Sequence, residues 1–144
     1  SRLGGVALQE VRDLAAGREA VEQRAVGAVL RAESWLGRKT EVQPKNNPGF
    51  DLKSFTPDGH LLLIEVKGRI EGSPTVTVTR TEILTALNSD RFVLALVEVS
   101  KDGPQHDVVR YLRHPFTGTD DQYFDVTSVN FNWSSLWSRA SPPS

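Results

Sequence analysis

Apolar positions in the first quarter of the chain fall at helical spacing. Val21, Ala25, Ala28, Val29, Ala32 and Leu36 recur every three or four residues, which places them on one buried face of a helix. The pattern predicts a helix from Val11 to Leu36, stopped by Gly37, which takes a positive φ without a Cβ clash. Residues 1–10 show little periodicity and read as a lead-in. Beyond the helix the period shortens. Thr40-Glu41-Val42-Gln43 is a short strand candidate, and Pro44 to Gly49 has the composition of an exposed loop. Phe50 to Phe55 alternates as a half-buried strand does, and Leu61 to Gly68 makes a second strand. Between them Thr56-Pro57-Asp58-Gly59 supplies a Pro that presets φ and a Gly that accepts a positive one. Residues 50–67 therefore read as a β-hairpin.

Thr75 to Val78 alternates β-branched residues and is expected to extend the sheet. Thr79-Arg80-Thr81-Glu82 fits a capping box ahead of a helix carrying Ile83, Leu84 and Leu87, ended by Asn88-Ser89-Asp90. Phe92 to Val99 is almost continuously apolar, as in a strand covered on both faces. Val108 to Leu112 is a further strand. Val129, Phe131 and Trp133 alternate, Leu136 and Trp137 follow, and residues 138–144 read as a flexible tail. The order helix, strand, hairpin, helix, strand, strand implies one α/β domain: a mixed sheet of about five strands flanked by helices.

Composition narrows the function classes. No apolar run approaches the length of a membrane span, and the first residues lack the apolar core of a secretory signal, so an intracellular setting, away from membranes, is expected. The chain has no Cys and three separated His (His60, His106, His114), which argues against a disulfide framework or a Cys/His zinc cage. It has no Met either, which reads as a piece of a longer protein. A net charge of −1 gives no global attraction to nucleic acid. The Gly37-Arg38-Lys39-Thr40 run lacks the upstream glycine and strand of a phosphate loop, and neither a nucleophile elbow nor a dinucleotide fingerprint occurs.

The chemistry concentrates on the hairpin. Asp51 begins its first strand; Glu65 and Lys67 lie near the end of its second and, two residues apart, share a face. Folding the hairpin brings Asp51 back toward them. Charges at alternate positions on a solvent face are ordinary. After the buried run Leu61 to Ile64, however, they are costly unless paired or bound to a metal. Two carboxylates of this kind suit Mg2+ or Mn2+, and a neighbouring lysine would orient or deprotonate a water, or stabilise phosphate charge.

Asp51 followed by Glu65-Val66-Lys67 resembles the PD-(D/E)xK motif of restriction-endonuclease-like nucleases, with Pro48 displaced two residues from its usual place beside Asp51. The longer pattern Asn47-Pro48-Gly49-Phe50-Asp51-Leu52, Ile64-Glu65-Val66-Lys67-Gly68 and Thr79-Arg80-Thr81-Glu82 before an apolar strand is similar to the NO VEIN C-terminal family. The resemblance implies a restriction-endonuclease-like core and Mg2+-dependent hydrolysis of DNA, within a larger DNA-processing or defence protein whose ATPase or helicase domains would deliver the substrate. It implies Asp51 and Glu65 as metal ligands with the Val66 carbonyl, Lys67 positioning the attacking water, and Glu22 on the first helix as a supporting acid. Glu22 has the plain alternative of a solvated helix edge. Lys45, Lys53, Arg69 and Arg80 are candidates for phosphate contact or merely for solvating loop and sheet edges. Glu82 reads as a cap and His114-Pro115 as a strand-ending turn. Phe131, Trp133 and Trp137 either stack on bases or close a core. A homodimer is a further expectation. The alternative function is an inactive, nuclease-like module that binds nucleic acid or a protein.

Overall fold

The computed structural model describes residues 2–144, with the side chains of residues 2–7, 10, 11, 14 and 15 outside that description. A single long helix, α1 (Arg2–Trp35), leads into β1 (Lys39–Val42), β2 (Leu52–Phe55) and β3 (Leu61–Ile70). Then come β4 (Thr75–Thr79), α2 (Arg80–Leu87), β5 (Phe92–Val99), β6 (Val108–Arg113), β7 (Ser128–Asn132) and α3 (Trp133–Arg139). The main sheet has the order β1-β2-β3-β5-β6, with β3 and β5 parallel and the other neighbours antiparallel. The α/β class and the mixed five-stranded sheet expected from the pattern are both present.

α1 starts at Arg2 rather than Val11, so the lead-in is helical. That stretch contains no proline, and good helix formers outnumber its two glycines, so nothing interrupts propagation. The helix ends as expected at Gly37, with φ of 77°. The Gly37 amide donates to the Ser34 carbonyl and the Arg38 amide to the Glu33 carbonyl, both at 3.0 Å, as in a Schellman motif.

The sheet separates two apolar layers. Ala25 and Val29 of α1 pack on Leu52, Ile64, Val93 and Ala95. On the other face Ile83, Trp133 and Leu136 cover Leu94 and Leu96, so β5 is buried on both sides as its composition demanded. α1 lies close to the sheet at Gly68, where a Cβ would stand 2.5 Å from the Ala25 Cβ. Neither atom can rotate away. Gly68→Ala is expected to destabilise the fold by about 1–3 kcal/mol, readable in denaturant unfolding.

Two expectations are corrected here. β4 does not extend the main sheet; it pairs antiparallel with β7, Thr75 opposite Asn132 through Thr79 opposite Ser128, as a separate two-stranded sheet. Its partner lies some fifty residues away in sequence, beyond the reach of local patterning. The C-terminal residues are not loose: Ser141 exchanges two backbone hydrogen bonds with Tyr111, at 2.7 and 2.9 Å. Arg139 also donates to the Pro115 carbonyl at 3.1 Å. Phe131 and Trp133 close the core, and the Trp133 indole N–H donates to Glu98 at 3.1 Å. Trp137 stacks on Trp133 with Arg110 over its ring.

Asp107 ties the β5–β6 connection to α1. It accepts from Arg24 Nε at 3.0 Å and from the Ser100 amide at 2.8 Å, and pairs with Arg24 Nη2. Burial opposes its charge, but these donors hold its carboxyl below the usual range. The unfolded chain therefore takes up this proton before the folded one does. The contribution is complete above about pH 4 and fades as the pH falls through the depressed folded value. Asp107→Asn should lower the unfolding midpoint at neutral pH and flatten its decline in acid, as followed by circular dichroism.

Candidate functional site

Register decides which side chains meet. Leu52 stands opposite Ile64 and Lys53 opposite Leu63. Asp51, one step before β2, therefore comes level with Glu65, and its amide donates to the Ile64 carbonyl at 2.9 Å. Leu52 and Ile64 face α1, so Asp51, Glu65, Lys67 and Arg69 turn to the opposite, α2 face. Asp51 is locked there: its Oδ2 accepts from the Val66 amide at 2.8 Å.

Past Asp51, β3 has no strand partner on that side among the described residues. The Leu63 and Glu71 amides donate toward β5, to Arg91 and Val99. Strand alternation then points the backbone groups of Val66, Gly68 and Ile70 to the open edge. A cleft of about 820 Å3 runs along this edge, with α1 and α2 contributing to its walls.

Glu82 completes the cluster. At N3 of α2 its Oε1 accepts from the Thr79 amide at 2.9 Å, closing the capping box. The same oxygen pairs with Lys67 Nζ at 2.9 Å, while Glu65 Oε2 lies 3.4 Å from that ammonium. Glu65 is only 4% exposed. Burial and the charge of Asp51 push it up to about 10 against the opposing pull of Lys67, so without a cation it is neutral at physiological pH. Burial works against the charges of Lys67 and Glu82 too. Lys67 is nonetheless raised by Glu65 and Glu82, and Glu82 is lowered by its hydrogen bond with Glu65 and by Lys67.

Glu22, Lys45, Asp51, Glu65, Val66, Lys67 and Arg69 line the cleft. Glu22 is exposed. Lys45 is exposed and pairs with Glu19 at 3.2 Å. Two candidates stand elsewhere: Lys53 lies outside the cleft lining, opposite Glu41 and Leu63 in the sheet. Arg80, also outside it, donates to the Phe124 carbonyl at 2.8 Å. Lys53 is set apart because it stands within the paired part of the hairpin, between Glu41 and Leu63, short of the open edge; Arg80 starts α2 but reaches toward the loop before β7. In sequence Glu82 reads chiefly as a cap. The capping box was visible in sequence, but its approach to Lys67 depends on the non-local path of β4. Arg18 and Asp13 of α1 also reach the cleft, from a helix turn with no local signature.

Among the described residues no three His, Asp or Glu side chains converge as a ready-made metal cage. Mg2+ does not require one, because it keeps several waters and takes one or two carboxylates. Glu65 is buried and Asp51 half-buried, and burial together with the Asp51 charge keeps Glu65 protonated, so this is a set that a dication would relieve. Asp51, Glu65 and the Val66 carbonyl fit such an ion in donor type.

Residues 21–112 match the family model described as Protein NO VEIN, C-terminal, and the chain belongs to that family. The matched span runs from α1 into β6 and contains Asp51, Glu65, Lys67 and Glu82. Comparison with curated proteins and with solved structures brought no match.

Proposed function

We propose that the cleft hydrolyses phosphodiester bonds of DNA with Mg2+ or Mn2+ held by Asp51 and Glu65, as a member of the PD-(D/E)xK nuclease group. One observation carries the reading: Asp51, Glu65 and Lys67 share one face at the open end of β3, with Asp51 fixed by the Val66 amide. The cation, once bound, supplies Lewis-acid stabilisation of charge on the phosphate oxygens. Lys67, kept as an ammonium by its acidic neighbours, donates to the attacking water or to a non-bridging phosphate oxygen; the water's proton passes to solvent rather than to Lys67 as the P–O bond to the leaving oxygen breaks. Glu82 holds the Lys67 ammonium over the strand end. Glu22 stands at the rim, where it supports the ion or its waters.

Lys67→Ala should lower Mg2+-dependent cleavage by about 100-fold or more, the scale of losing one preorganised charge-stabilising group. A gel assay on labelled single- and double-stranded DNA checks this, with EDTA as the blank. Equal rates for wild type and variant reject it. A second reading, a nuclease-like module that binds without cutting, is favoured by the self-satisfaction of the metal-free cluster: Lys67 already rests on Glu82 and Glu65 holds its proton. Metal-independent binding with no cleavage of any DNA or RNA form would select it.

A further inference from the structure

We infer that Arg69 grips a backbone phosphate next to the reaction centre, and that the occupant of the cleft is a single nucleic-acid strand rather than a duplex. The inference rests on the reading above in taking nucleic acid as the ligand. Arg69 lines the cleft, and its Nε is buried without a hydrogen-bond partner among the described residues. A buried unsatisfied donor costs about 1–3 kcal/mol. Arg38 and Arg24 are answered by the carboxylates of Glu33 and Asp107, and half-buried Arg110 by the Trp137 carbonyl and ring. The described residues thus leave the Arg69 Nε without an acceptor. A guanidinium fork fits phosphate oxygens.

Position makes that anion part of a strand. Arg69 shares a face with Glu65 and Lys67, four residues past Glu65 and hence about 13 Å along β3. The phosphate it holds is therefore separate from the one under attack. The Gly68 and Ile70 amides point to the same open edge, and Ser73 and Thr77 line it as well. Duplex binding without help from sequence requires many phosphate contacts. This cleft mixes carboxylates with its cations, the chain's net charge is −1, and a volume of about 820 Å3 suits one strand.

Fluorescence anisotropy of a short labelled single strand, in EDTA across a salt series, tests this apart from cleavage. Arg69→Ala should weaken binding about tenfold and reduce the slope of log K against log salt by about 0.7, the loss of one single-strand phosphate contact. Arg69→Lys should keep the slope and regain part of the affinity, and Lys39→Ala, on the exposed far strand, should change neither. Duplex of the same sequence should compete poorly. Unchanged affinity and slope in Arg69→Ala, tighter binding of duplex, or displacement by polyglutamate as effective as by unlabelled strand would each overturn the inference. Arg69-dependent binding with no cleavage in Mg2+ leaves it standing and removes the hydrolytic reading; cleavage and binding that ignore Arg69 do the reverse.

Discussion

Asp51→Asn should lower Mg2+-dependent cleavage by about 100- to 1,000-fold while leaving the protein at least as stable as wild type. The substitution keeps the shape of the side chain, and its remaining carbonyl oxygen can still accept the Val66 amide that Oδ2 accepts at 2.8 Å. It removes the charge that helps push Glu65 up to about 10, so the folded state loses a repulsion and not a support. The proposed cation site would lose one of its two carboxylates, and a rate loss of about 3–4 kcal/mol in barrier height corresponds to the factor given. Cleavage and thermal unfolding must be read together. Low activity with an unchanged midpoint is the expected pair. Full activity would remove Asp51 from the reaction, and a large drop in midpoint would make it a structural residue.

The second large effect concerns stability. Arg38→Met should destabilise the fold by about 3–5 kcal/mol, because it strands a buried carboxylate. Glu33 of α1 is fully buried; it accepts from Arg38 at 2.9 Å and from the Tyr111 hydroxyl at 2.7 Å, while its other oxygen has no partner among the described residues. Burial and that carboxylate hold the Tyr111 phenol far above its ordinary value, so the phenol remains a donor and cannot take over the role of a cation. The double variant Glu33→Met with Arg38→Met should recover much of the loss, since apolar side chains of similar volume replace a buried pair well. Denaturant unfolding of the single and double variants measures the difference. A cost below about 1 kcal/mol for Arg38→Met would show that water reaches Glu33.

Local chemistry made part of this molecule legible from its sequence. The hairpin could be read because Pro57 and Gly59 fix its turn, and period-two alternation then fixes its register. That register alone places Asp51 level with Glu65 and on the face of Lys67. Gly37 and the Thr79–Glu82 box marked helix ends through contacts only three to five residues long. What failed to show were pairings between distant segments. The β4 pattern identified a strand but not the sheet it joins, because β7 is its partner. Glu82 was recognised as a cap, and its second role follows only once β4 delivers α2 to Lys67. Glu33 has no local mark of burial; besides Arg38, in the turn just after α1, it needs the Tyr111 hydroxyl from distant β6. The same holds for Arg69: its sequence does not tell a phosphate contact from a solvated sheet edge, and only the fold buries its Nε with no partner among the described residues.

The most direct measurement is a crystal soaked in Mn2+ and read by anomalous scattering. A peak between the Asp51 and Glu65 carboxylates in the wild-type protein, lost in Asp51→Asn, is the result this account requires. A saturating soak that leaves that position empty, with Glu65 still turned onto Lys67 and Glu82, would contradict it.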